Sequence, residues 1–129
     1  MDSIVHFEIP AKDTKRAKNF YTKLFGWKMN EIPEMSYTIV HTTEVGKDMM
    51  PMKPGAINGG LYKGEGAPTL VINVKSIDAS VSAIGKAGGK ITAAKRPVGD
   101  MGYYAKFKDT EGNELGLWEM MPPKKGKKG

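Results

Sequence analysis

The feature that most constrains this chain is an internal repeat. The tripeptide Gly60-Leu61-Tyr62 returns as Gly116-Leu117-Trp118, after a shift of 56 residues. Near the start of each half, a shift of 63 residues places His6 over Thr69. The longer loop "GKDMMPMKPG" of the first half absorbs the difference between the two shifts. A period of this length sets the architecture, because each copy has to form the same supersecondary unit.

Each half follows the order strand, helix and three strands. In "SIVHFEI" apolar and mixed residues alternate, which is typical of a strand with one apolar face. "DTKRAKNFYTKLFG" and "SIDASVSAIGKAGG" have apolar residues at helical spacing and end in glycine, which suits a helix C-terminus. "KITAAKRPV" is a strand that we expect Pro97 to break.

This order of strands and helices predicts an α+β fold of two βαβββ modules, which form an eight-stranded open barrel flanked by two helices. We expect one domain over residues 1–121, with modules at about 3–63 and 66–120.

The alternation along each strand also predicts which side chains face the helices. We expect the leucine-rich face, including Phe7, Leu61, Leu70, Leu115 and Leu117, to pack beneath them. The mixed face would then line a concave space between the modules, the usual shape of a small-molecule site. The candidate site residues on that face are His6, Glu8, Tyr62, Thr69, Tyr104, Glu114 and Trp118.

Composition excludes several classes of site. The chain has no cysteine, which removes thiolate catalysis and cysteine-based metal centres. The net charge is +6, but "PPKKGKKG" at residues 122–129 holds four lysines, and 16 basic and 14 acidic residues remain without it. We expect a disordered basic tail there and no nucleic-acid partner.

No apolar run is long enough for a membrane span and no secretory signal pattern is visible, so we expect a cytoplasmic protein without a membrane partner.

Three segments resemble the vicinal-oxygen-chelate superfamily, which includes glyoxalase I, extradiol dioxygenases, fosfomycin-resistance proteins and bleomycin-binding proteins. They are "VHFEIPAKDTKRAKNFYTKLFGW", the helix restart after "LVINVKSIDASV", and "YYAKFKDTEGNELGLWE". The resemblance covers about residues 3–120, and its most specific part is "FKDTEGNELGLWE".

The resemblance implies a divalent metal on the inner face of the modules, held by the first and fourth strand of each. Those positions here are His6, Thr69, Gly60 and Gly116. His6 is the one competent ligand among them, whereas a catalytic site takes about three protein ligands. The resemblance therefore predicts a member that binds a small organic ligand between its modules with no metal and no cofactor. Family members often dimerise, so a homodimer is possible.

An enzymatic alternative stays open. A metal-dependent (Zn, Ni, Fe or Mn) lactoylglutathione-lyase-like lyase or isomerase, or a dioxygenase, could use a non-standard site around His6, Glu8 and Glu114, our candidate catalytic residues. His6 could equally be a hydrogen-bonded structural residue. The predicted ligand-binding residues are Tyr62, Thr69, Tyr104 and Trp118. A scaffold or regulatory subunit is a third possibility.

Overall fold

The computed structural model describes residues 1–48 and 50–122. Among them it has eight strands and two α-helices, with a short 3₁₀ helix at Pro33–Met35. The elements are β1 (Ile4–Ala11), α1 (Thr14–Phe25), β2 (Lys28–Ile32), β3 (Tyr37–His41), β4 (Gly59–Lys63), β5 (Thr69–Asn73), α2 (Ile77–Lys86), β6 (Lys90–Val98), β7 (Gly102–Lys108) and β8 (Glu114–Met120). The predicted order of strand, helix and three strands, twice over, is confirmed.

The chain divides into two compact units. The N-terminal unit is Val5–Leu70, and the C-terminal unit is Met1–Ile4 together with the described residues from Val71 onward. Ser3 belongs to the latter because its carbonyl oxygen accepts the Asn73 N–H at 2.9 Å. In the N-terminal unit the strand order is β2-β3-β4-β1, and in the C-terminal unit it is β5-β8-β7-β6. Both orders begin or end with one parallel pair, β1 with β4 and β5 with β8, and the other pairs are antiparallel.

Both helices begin at capping residues that the sequence supplies. Asp13 accepts the Arg16 N–H at 2.9 Å at the start of α1, and Ser76 accepts the Ala79 N–H at 3.1 Å at the start of α2. These side chains satisfy backbone donors that have no partner inside the helix. Gly26 ends α1 with φ 71°, in the left-handed conformation that glycine adopts without steric cost, as expected from the sequence.

The repeated leucine lies in the core of each unit. Leu61 is 1% exposed and Leu117 is 3% exposed. Leu117 belongs to the core of the C-terminal unit, which is buried beneath α2 and is formed by Val74, Ile77, Ala105, Phe107 and Leu117. The predicted packing of Leu61 and Leu117 is therefore confirmed.

The expected burial of Leu70 is wrong, because this side chain is 45% exposed. Helix α2 packs mainly on β6, β7 and β8. Strand β5, which carries Leu70, is not among the strands that α2 mainly contacts. Alternation assigns a residue to a face, but burial also requires an element above that face.

The apolar side of α1 is only partly covered. Tyr21 stacks on Trp27 with ring centroids 4.9 Å apart, and Trp27 in turn contacts Phe7. Phe20, Leu24 and Phe25 are each more than half exposed.

Pro97 does not break its strand, contrary to expectation. Strand β6 runs from Lys90 to Val98, and Pro97 pairs with Tyr103. β6 is the last strand of its sheet, and a proline is tolerated on such an edge because its missing N–H is not needed by a second neighbour.

Within the described ranges no helix is long and apolar enough to cross a membrane. The predicted basic tail lies, from residue 123 on, outside the described residues.

Candidate functional site

In the N-terminal unit, a tyrosine occupies the space above the repeated glycine. Strands β3 and β4 are antiparallel, with Tyr37 opposite Tyr62 and Ile39 opposite Gly60. The Tyr37 ring reaches diagonally across to Gly60, where an added Cβ would overlap its hydroxyl oxygen and Cζ. Any side chain at position 60 would clash with the Tyr37 ring, so glycine is the residue that fits at this position. A diagonal neighbour of this kind is within reach of an aromatic side chain in a sheet.

The Tyr37 hydroxyl is held by two residues of β1. His6 Nε2 lies 2.9 Å from Tyr37 Oη, and Glu8 also hydrogen bonds to this hydroxyl. A carboxylate can only accept, so we assign the phenol O–H as the donor to Glu8 and the imidazole Nε2–H as the donor to the phenol oxygen. His6, Tyr37 and Glu8 thus form one hydrogen-bonded chain, with the phenol in the middle.

The environment holds both His6 and Tyr37 in their neutral forms. Burial lowers the pKa of His6 below 6.5, and its effect exceeds that of the nearby Glu8 charge, which raises the pKa. Burial, followed by the charge and the hydrogen bond of Glu8, raises the pKa of Tyr37 well above its ordinary value. Desolvation disfavours the charged form of each group. At neutral pH this cluster therefore presents an uncharged imidazole and a protonated phenol.

We expect the free energy of unfolding to fall as pH drops below about 6.5, in part because of His6. The folded-state pKa of His6 lies below its unfolded value, so in this window the unfolded chain binds more protons and acid favours unfolding. The loss should begin near pH 6.5 and level off below the folded-state pKa. Urea unfolding at several pH values measures it. His6→Gln should flatten the slope; equal slopes for His6→Gln and the original protein would contradict the expectation.

The C-terminal unit repeats the same arrangement. Tyr104 of β7 lies opposite Trp118, and Lys106 lies opposite Gly116. A Cβ at Gly116 would lie 2.8 Å from the Tyr104 hydroxyl oxygen and 2.9 Å from its Cε1. Tyr104 is buried, and the Arg96 guanidinium lies over its ring, 5.6 Å from the centroid. Tyr37 and Tyr104 are therefore equivalent residues of the repeat, and each one covers the glycine of its own unit.

The other predicted site residues are distributed over both units. Tyr62 lies beside Tyr37, and Thr69 is buried at the start of β5. Trp118 is half-buried on β8, where it contacts Gly102. Glu114 is exposed, and its Oε2 accepts the Thr92 hydroxyl at 2.7 Å. Within the N-terminal unit, the structure thus brings together His6 and Glu8. The catalytic role suggested for Glu114 stays a prediction.

Known proteins resemble this chain along most of its length. A family model described as "Bleomycin resistance protein-like N-terminal" matches residues 3–43. A "Glyoxylase-like domain-containing protein" of Didymella fabae is 34% identical over 114 residues, which are 82% of this chain and 84% of that protein. The chain belongs to the glyoxalase-like vicinal-oxygen-chelate superfamily.

Other relatives of this vicinal-oxygen-chelate protein are longer. The "Putative glyoxylase CFP32" of Mycobacterium tuberculosis is 30% identical over 120 residues, which are 87% of this chain but 43% of the relative. The chain thus spans less than half the length of that curated protein.

Solved structures agree on the fold. Methylmalonyl-CoA epimerase of Streptomyces coelicolor, in complex with 2-nitronate-propionyl-CoA, has a TM-score of 0.65 at 16% identity, covering 92% of this chain and 97% of that one. A glyoxalase/bleomycin resistance protein/dioxygenase superfamily member from Vibrio splendidus has a TM-score of 0.62 at 12% identity, covering 94% and 100%. The predicted fold class is confirmed.

The superfamily's metal does not fit the residues at its usual positions here. Glycine offers no side-chain donor at 60 or 116, and in each unit a tyrosine fills the space that a carboxylate ligand would need. Across residues 1–48 and 50–122, no group of three or more His, Cys, Asp or Glu residues could hold a metal ion. A stable transition-metal site needs more donors than one imidazole.

Tyr37 is the central residue that sequence reasoning missed. The alternation in "SYTIVH" places Tyr37 on the same face as Ile39 and His41 but does not indicate its partner. The match of Tyr37 to Tyr104 follows from the strand register, in which Tyr37 lies opposite Tyr62 and Tyr104 lies opposite Trp118. The sequence shifts of 56 and 63 residues do not align the two tyrosines.

Proposed function

We propose that this vicinal-oxygen-chelate protein binds a small organic ligand without a divalent metal, at the His6–Tyr37–Glu8 cluster of its N-terminal unit. The observation that carries the proposal is the position of Tyr37. Its phenol occupies the space at Gly60, where the superfamily places a metal-binding carboxylate, and it hydrogen bonds to His6, the one competent ligand. The hydrogen-bonding capacity that would serve a metal is thus used within the protein.

The cluster suits an organic ligand better than a metal ion. A neutral imidazole, a protonated phenol and the nearby Glu8 supply polar groups, and the rings of Tyr37 and Tyr62 supply apolar surface. Few polar groups set among aromatic ones are typical of small-molecule sites. The epimerase complex with 2-nitronate-propionyl-CoA supports the proposal, because a protein of the same fold holds an organic ligand. The homodimer and the cytoplasmic location stay predictions.

We expect Tyr37→Phe to weaken ligand binding about threefold to tenfold, the usual effect of losing one hydrogen bond. A library of small aromatic and heterocyclic compounds, screened by ligand-observed NMR, would supply the ligand. His6→Gln should also weaken binding. The matched control is Tyr103→Phe, because Tyr103 packs against the core of the other unit. A ligand that binds Tyr37→Phe and His6→Gln as tightly as the original protein would contradict the proposed site.

We expect the purified protein to retain far less than about one equivalent of divalent metal, the content of a mononuclear site. The test is elemental analysis after dialysis against a weak chelator, on protein made without an affinity tag. Retention of nearly one equivalent that is lost on His6→Ala would instead favour the metal-dependent alternative. That alternative is a glyoxalase-like lyase or isomerase, or a dioxygenase, with a site around His6, Glu8 and Glu114.

A further inference from the structure

Helix α1 leaves a contiguous apolar surface uncovered. Phe20, Leu24 and Phe25 are each more than half exposed, and we call these three residues the α1 patch. The Phe20 ring meets the Tyr21 ring edge-on with centroids 5.3 Å apart, and the Phe25 centroid lies 5.7 Å from that of Trp27. Tyr21 and Trp27 stack on each other. The two exposed phenylalanines therefore extend one aromatic cluster to the surface of the N-terminal unit.

The repeat shows that the fold does not require this exposure. Helix α2 is the equivalent helix of the C-terminal unit, and its residues Ile77, Val81 and Ile84 belong to the core of that unit or pack against it. Along α2, all of which the structure describes, no large apolar residue is exposed. Single exposed apolar residues are common, whereas a contiguous group of them marks an interaction surface. The α1 patch therefore indicates a partner of the N-terminal helix.

The charge around the α1 patch is strongly positive. Residues 12–28 contain six basic residues and one acid, Asp13, whereas the remaining chain before the lysine-rich tail contains ten basic and thirteen acidic residues. Arg16 precedes Phe20 by four positions and Lys23 follows it by three, so both lie beside Phe20 on the helix surface. Both basic side chains are exposed. The net positive charge of the folded part of the chain is thus concentrated on α1 and its flanks.

Acids from neighbouring segments neutralise only part of this charge. Glu31 of β2 forms an ion pair with Lys18 at 2.6 Å, and Glu44 forms one with Lys28 at 3.0 Å. Lys23 makes no ion pair with any residue that the structure describes. The side of α1 that carries the α1 patch therefore suits an anionic partner.

We propose that the α1 patch and the basic residues around it bind the surface of an anionic lipid bilayer. A helix that exposes phenylalanine and leucine beside lysine and arginine is typical of segments that lie in the plane of a membrane surface. Phe20 and Leu24 enter the boundary between headgroups and acyl chains, and Arg16 and Lys23 contact the lipid phosphates. Binding at a surface differs from crossing a bilayer, and it replaces the sequence-based expectation of no membrane partner.

Two other partners match the α1 patch less well. A second copy of this chain that presented the same face would bring the two basic segments together, and like charges that oppose each other across an interface are unfavourable. A nucleic acid would match the charge but not Leu24, because bases stack on aromatic rings and not on an aliphatic side chain. An anionic bilayer matches both the charge and the apolar side chains.

Co-sedimentation of the full chain with lipid vesicles tests the proposal. Vesicles of phosphatidylcholine with an equal amount of phosphatidylserine should bind the protein, and vesicles of phosphatidylcholine alone should bind it far less. Binding should weaken as the salt concentration rises, because salt screens the attraction between basic side chains and lipid phosphates. Binding to neither kind of vesicle, or equal binding to both, would overturn the proposal.

Leu24→Ala should weaken vesicle binding about fivefold to tenfold, because much of the apolar surface that enters the lipid is lost. The side chain is exposed, so the fold should persist, and an unchanged circular dichroism spectrum checks this. Leu24→Phe, which keeps a large apolar side chain, should bind like the original protein. The matched control is Met101→Ala, which removes an apolar side chain of similar exposure from the C-terminal unit. Undiminished binding by Leu24→Ala would exclude the α1 patch.

Lys23→Gln should weaken vesicle binding about fivefold, the usual effect of one basic residue near an anionic surface. Lys86→Gln, in the last turn of α2, should have no effect. Equal effects of these two changes would mean that the attraction is not centred on α1. Two further results would assign the surface differently if vesicles do not bind: a dimer that Leu24→Ala dissociates indicates a second copy, and retention of single-stranded DNA indicates a nucleic acid. All of these outcomes are independent of the His6–Tyr37–Glu8 cluster, because no variant changes it.

Discussion

Gly60→Ala is expected to lower the free energy of unfolding by roughly 1–3 kcal/mol, the usual cost of overpacking a fitted site. The new methyl group would overlap the Tyr37 hydroxyl and ring. Tyr37 cannot move freely, because its hydroxyl is tied to His6 and Glu8. The variant must either strain β3 and β4 or expel the ring and break those hydrogen bonds. Equilibrium urea unfolding measures the loss.

A double-mutant cycle identifies the cause. With Tyr37→Ala in the background, the atoms nearest to an added Cβ at residue 60 are gone, and Gly60→Ala should be neutral or slightly stabilising, because glycine in a strand interior is unfavourable. Gly85→Ala is the control substitution: Gly85 lies in α2 with no heavy atom within 4 Å of an added Cβ. It should stabilise the protein by about 0.5–1 kcal/mol. Additive effects of the changes at 37 and 60 would show that the tyrosine does not explain the glycine.

The same overlap has a consequence for metal binding. A side chain at position 60 and the Tyr37 phenol exclude each other, so Gly60→Glu by itself cannot restore a carboxylate ligand. The carboxylate would find its space taken and His6 already hydrogen bonded. Position 116 is also restricted, because an added Cβ would lie 2.8 Å from the Tyr104 hydroxyl oxygen, and Tyr104 is buried beneath the Arg96 guanidinium.

The repeat and the strand faces could be predicted from the sequence, because both depend on local spacing. The match of Gly60-Leu61-Tyr62 to Gly116-Leu117-Trp118 established the two modules, and alternation correctly placed Leu61 and Leu117 in the core. Period-two alternation assigns every residue of a strand once one of them is assigned.

What could not be predicted depends on neighbours that are distant in sequence. Tyr37 acquires its role from the diagonal contact with Gly60, which follows from the register of β3 against β4. Pro97 is tolerated because β6 ends its sheet, and strand order is not visible in a single strand.

Leu117→Ala is expected to lower the free energy of unfolding by about 2–5 kcal/mol, the range found for buried leucines. Leu117 is 3% exposed and packs with Ala105, Phe107 and Ile77, so truncation removes apolar contacts and leaves a cavity. Leu70→Ala is the matched control, since it makes the same chemical change in a strand where the side chain is 45% exposed. It should cost less than about 1 kcal/mol, because little apolar surface returns to water. Urea unfolding of both variants with an unchanged m-value is the appropriate measurement. Comparable losses for the two would mean that the repeated leucine is no more important to the core than an exposed one, and that the leucine of the repeated tripeptide does not anchor the C-terminal unit.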